Sequence, residues 1–127
     1  MTIYYLALSF LFTHELDAMT HSEWRFFPIF DEMADTSAST IFVTLHVPIF
    51  FLVLWLSHHS SQVIRERSRV LFASFLVVHA IAHFGFSSQP DYDFHGLLSR
   101  TLIFSSAGFA TLFLGMRWRA RQSTDAA

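Results

Sequence analysis

"STIFVTLHVPIFFLVLWLS", residues 39–57, runs without one charged side chain, and His46 is its single ionisable group. A helix in a soluble bundle carries a polar face that recurs every third or fourth position. This stretch has no such face. At about 1.5 Å of rise per residue it is long enough to cross a hydrocarbon layer of about 30 Å. It therefore reads as a membrane span, and the rest of the chain is read from it.

Three other segments resemble it. One covers about Thr2–Met19, one about Val70–Phe86 ("VLFASFLVVHAIAHFGF") and one about Leu97–Met116 ("LLSRTLIFSSAGFATLFLGM"). With the quoted segment starting near Ala38, they predict an all-α fold. It is a single domain, residues 1–127, with four transmembrane helices at about 2–19, 38–57, 70–86 and 97–116. Composition agrees: 53% of the residues are hydrophobic, only 14% are charged, and 16 are Phe. A soluble domain carries about 25% charge. The net charge of -2 argues against nucleic acid as a partner, and the lack of Cys excludes thiolate metal sites and disulfides. The first segment has no basic region before it and no small-residue cleavage site, so it reads as a retained helix.

Charge between the segments sets the orientation. Arg65, Arg67 and Arg69 lie between the second and third, and Arg117, Arg119 and Arg121 follow the fourth. Glu23, Asp31, Glu32 and Asp35 outnumber Arg25 in the first loop, and the third loop holds Asp91 and Asp93. Both termini are expected in the cytoplasm, in a multi-pass protein of the cell inner membrane. The bilayer is the expected partner; an oligomeric state is not specified. Trp24, Phe26, Phe27 and Tyr92 are expected at the outer interface, and Tyr4 and Tyr5 as anchors at the inner one.

The histidines then fall at one level. From the helix rise, His14, His46 and His79 lie roughly 9–12 Å below the outer boundary, with Asp17 and His83 roughly 5 Å below it. His21 and His95 lie at the rim. His14, Asp17 and His21 are spaced i, i+3, i+7, and His79 and His83 i, i+4, so each set shares a helix face. An aspartate inside a span costs about 2.5–3.5 kcal/mol on insertion scales, and so faces inward toward a partner. Glu15 points about 100° away from His14, toward an outer layer of the site or a neighbouring helix.

Three readings of this layer are open: a hydrogen-bonded network joining helices, a metal site, and a bis-histidine haem or proton path. For a metal, the candidate ligands are His14, Asp17, His46, His79 and His83. Imidazole and carboxylate without thiolate favour a divalent first-row transition metal (Zn, Fe, Mn or Cu) over calcium. An open position on that metal would activate water or oxygen. Pro48 frees the carbonyl of Thr44 and bends the second helix or shapes a cavity. Arg100 pairs with Asp17 or Glu15, or reaches lipid phosphate. Ser105 to Gly108 are small enough for close helix contact.

"FTHELDAMTHSEWRFFP", "LHVPIF" and "VVHAIAHFGF" give the chain a resemblance to small bacterial four-helix membrane proteins of the HXXEE-domain family. The resemblance aligns His14 with the leading histidine and Asp17 with the first acidic position; Ala18 replaces the second. It implies a bacterial inner-membrane location and no reaction. Two functions follow. One is a metal-binding membrane protein, an enzyme in its fullest form, acting on a lipid or other apolar substrate. The other is a non-catalytic membrane protein, either a haem electron carrier or a bundle with a polar core.

Overall fold

The computed structural model describes residues 1–90 and 92–125; Asp91, counted above with the acidic third loop, lies outside the described residues. The described residues form four α-helices: α1 (Thr2–Thr20), α2 (Asp35–Ser57), α3 (Gln62–Phe86) and α4 (Leu97–Asp125). Two 3₁₀ turns, Glu23–Phe26 and Pro28–Phe30, lie between α1 and α2.

Three of these helices are long and apolar enough to cross a membrane: α2, α3 and α4, the last over Leu97–Ser123. Their outward faces agree. Val47, Leu71, Phe84 and Val78 are each more than 60% exposed, a surface that suits lipid and not water. Several hydroxyls on the outer faces of the apolar helices are satisfied within their own helix. Thr40 and Thr44 donate to carbonyls one turn back, at 2.7 Å each. α2 also continues through Pro48.

Helix α1 is the exception because His14, Glu15 and Asp17 lower its hydropathy near one end. It packs mainly against α4, and also against α3. Tyr4, Ala7, Leu8 and Leu11 meet Ala73, Leu76, Ala110 and Phe113 in the main core. Ala7 and Ala110 let two backbones approach closely, and Ser106 Oγ donates to the Ala7 carbonyl at 3.0 Å.

Two helices extend beyond their apolar segments. α3 begins at Gln62, about eight residues before the predicted span, and α4 continues to Asp125. Apolarity marks only the length that could cross a membrane, whereas a helix persists wherever its polar side chains find partners. Glu66 supplies them here: it accepts from Arg69 at 3.3 Å and from Arg117 of α4. Tyr4, expected as a surface anchor, is fully buried and hydrogen-bonds Ser57 at 2.6 Å. Trp24, expected at the interface, is buried as well.

Candidate metal centre

Helix α3 places His79 and His83 on one face, one turn apart, with ring centroids 4.6 Å from each other. α1 brings His14 against both, at 5.2 Å and 4.9 Å. The fourth member comes from the loop. Ser22 adopts a left-handed backbone (φ 54°, ψ 44°) just after α1, a conformation that costs a non-glycine residue about 1–2 kcal/mol. This turn sends Glu23 back into the bundle, where only 5% of it is exposed. Aromatic packing holds the turn. Trp24 lies on Phe42, and Phe26 on Tyr92 and Phe94. Asp35 accepts hydrogen bonds from Trp24 Nε1 and Arg25 Nε, both at 3.0 Å.

His14, Glu23, His79 and His83 each offer one ligand atom, and these atoms all lie within 4.8 Å of one another. Glu23 is central: one oxygen is 3.7 Å from His14 Nε2, and the other is 3.4 Å from His83 Nε2. Two ligands at about 2.0–2.2 Å around a tetrahedral zinc ion stand about 3.4 Å apart. The cluster thus has the dimensions of a metal site slightly opened. It is too close-set for four mutually independent polar groups.

The hydrogen bonding is equally telling. His14 Nδ1, His14 Nε2, Glu23 Oε2 and His79 Nε2 are buried and have no hydrogen-bond partner. Each such group costs about 1–3 kcal/mol, more if charged. His83 is the oriented member: its Nδ1 lies 3.2 Å from the Tyr92 hydroxyl. With Nδ1–H donating to that oxygen, Nε2 keeps its lone pair toward Glu23, the arrangement that prepares an imidazole for a metal.

Of the five residues picked out by spacing, the structure brings together His14, His79 and His83. His46 stands apart. Its Nε2 is 2.9 Å from Glu15 Oε2, and its Nδ1 is 2.7 Å from the Phe42 carbonyl. Glu15 thus reaches the neighbouring helix. Asp17 lies one turn above His14 and faces His21, at 3.6 Å. Arg100 is exposed, and the two acids considered for it have histidine partners instead.

Glu23 is the residue the sequence did not single out. No helix period leads to it, since it reaches the cluster through the left-handed Ser22. The available signal was the loop itself: "WRFFPIF" is too apolar for a segment lying in water.

Two apolar cavities flank the cluster. One, of about 270 Å³, lies between α2 and α3 under the loop and includes Glu15, His46, Glu23 and His79. The second, of about 400 Å³, shares Glu23, Phe27, Phe75 and His79 with it and adds His83 and Tyr92. Their rims include Ile29, Ile49 and Phe75, all about half exposed or more. Both therefore open sideways, toward where lipid would lie.

No curated protein and no solved structure matches the chain. A family model does, over residues 1–120, and by that match the chain belongs to DUF6713, a family of unknown function.

Proposed function

We propose that this chain is a four-pass protein of the bacterial inner membrane, both termini in the cytoplasm, that holds a divalent first-row transition metal in the outer half of its bundle. His14, His79, His83 and Glu23 are its ligands. Asp17 and His46, the other two candidates, act beside the centre. Zn, Fe, Mn and Cu all suit three imidazoles and a carboxylate. The observation that carries this reading is the convergence of four buried ligand atoms within 4.8 Å, three residues of which carry unpartnered atoms. A structural network would have paired those atoms with one another.

A haem fits less well. Its macrocycle separates two axial imidazoles by a wide flat plane. Here three imidazole rings pack at 4.6–5.2 Å, with Phe94 against His14 and His83. The side-opening cavities support a lipid or other apolar molecule as the species that meets the metal. A metal ion there would polarise that molecule's oxygen or activate water. His14→Ala and His79→Ala test the reading through metal content and the visible spectrum of detergent-purified protein. The expected result is one first-row ion per chain, no Soret band, and loss of the ion in both variants. Metal-free protein after loading, or a Soret band, overturns it.

A further inference from the structure

Helix α1 carries His14 and Asp17 on one face, and His21 follows at its C-terminal cap, at successive heights of about 4.5 Å and 6 Å. His14 belongs to the cluster, and the other two lead away from it to the loop end. The Asp17 side chain is only 8% exposed, and its Oδ2 has no hydrogen-bond partner. Its Oδ1 is 3.6 Å from His21 Nδ1. That nitrogen is 2.9 Å from the Asp17 carbonyl oxygen, which can only accept. Thr20 Oγ1, 2.9 Å from the same nitrogen, gives its own proton to that carbonyl at 2.7 Å, so Nδ1–H is the donor, and in the neutral ring His21 Nε2 keeps the lone pair a metal uses.

His21 and Thr20 line a cavity of about 520 Å³ together with Ser22, Arg25, Tyr92 and Asp93. This cavity is polar, unlike the two that face the side of the bundle. The Arg25 charge at its edge is countered by Asp35. Phe94 is fully buried, with its ring 5.0 Å from His21, 5.0 Å from His83 and 5.6 Å from His14. It stands between the cavity side and the cluster.

We propose that Asp17 and His21 form a transit site for a divalent cation, which passes from this cavity down the face of α1, past Phe94, to His14. This inference rests on the metal reading above. It accounts for a buried carboxylate oxygen with no donor, which a resident network would have satisfied. It also gives the i, i+3, i+7 stripe a use that the cluster alone does not.

The test is the rate at which apo-protein in detergent takes up Co(II), followed by its visible absorption in a stopped-flow mixer. Asp17→Asn and His21→Gln are expected to slow uptake at least tenfold while final stoichiometry and band shape stay as in the unmodified protein. Phe94→Leu, which keeps the site apolar with a smaller side chain, is expected to accelerate it. Uptake at the unmodified rate in both polar variants overturns the transit site. A changed band in Asp17→Asn also overturns it, by making Asp17 a ligand of the buried centre. If the unmodified protein shows no band at all, the metal centre itself fails, a different result from failure of the path.

Discussion

His14 and Glu15 are neighbours in the chain, yet they lead to opposite kinds of polar site. Glu15 meets His46 at 2.9 Å, and the other nitrogen of His46 is taken by the Phe42 carbonyl. Every hydrogen-bonding position of that imidazole is used. His14 turns the other way, into a cluster where both of its nitrogens lack a partner. One site is complete as built. The other is costly as built, and becomes favourable only if something binds all its members together. Buried polar groups in a bundle therefore divide by whether their pairing closes, not by how many there are.

The largest expected effect breaks the cluster. Removing one ligand with His79→Ala or Glu23→Gln should weaken metal binding by more than the 10–100-fold typical of residues behind the ligands, hence by more than about 100-fold. It should also abolish any metal-dependent rise in unfolding temperature. At 100 times Kd, bound ion adds about 2.7 kcal/mol. Thermal unfolding with and without metal reads both. An unchanged metal-dependent shift in either variant would remove that residue from the centre.

The complete pair should respond differently. His46→Ala leaves the Glu15 carboxylate without its partner, at a cost of about 2 kcal/mol with or without metal. The same measurement in metal-free protein sharpens the contrast. His79→Leu, which deletes an unpartnered buried polar atom, should be close to neutral there. If His46→Ala loses stability only in the presence of metal, the pair belongs to the centre and the division between the two sites is wrong.

Tyr92→Phe is expected to have a smaller effect. It removes the hydroxyl at His83 Nδ1, and so the group that fixes the ring. Metal affinity should fall about tenfold, or about 1.4 kcal/mol, with no change in metal-free stability beyond about 1 kcal/mol. A competition titration against a chelator measures this. Equal affinity in Tyr92→Phe would mean that helix packing alone orients His83.

The sequence shows parts of this contrast and hides others, for physical reasons. The helices α2, α3 and α4 are visible because each carries an apolar run long enough to cross a membrane. The pairing of His79 with His83 is visible because one turn of helix brings them together. Helix rise gives the height of a residue, however, and not the direction in which its helix faces a neighbour. His14 and His46 share a height and Asp17 lies one turn higher, yet the three have different sets of partners. Glu23 is hidden for another reason: a single left-handed serine redirects the loop, and no periodicity crosses it. The helical ends at 62–69 and 117–125 are hidden because the Glu66–Arg117 pair that ties them together joins residues far apart in sequence.

The smallest predicted effect lies where neither site reaches. Ser106 Oγ donates to the Ala7 carbonyl across the α1–α4 contact, between two buried surfaces. That carbonyl is already used by the helix ladder of α1, so the hydroxyl adds a second bond rather than rescuing an orphan. Interhelical hydrogen bonds of this kind contribute about 0.6 kcal/mol on average. Ser106→Ala should therefore cost about that much, because alanine preserves the close approach that Ala7 and Ala110 allow. Ser106→Leu should cost several times more, because its bulk would push α4 away from α1. Equal losses for the two variants, measured by unfolding in mixed detergent, would assign the contact to the hydrogen bond and not to the packing. Ser106 would then be grouped with His46, as a polar group whose pairing the fold depends on.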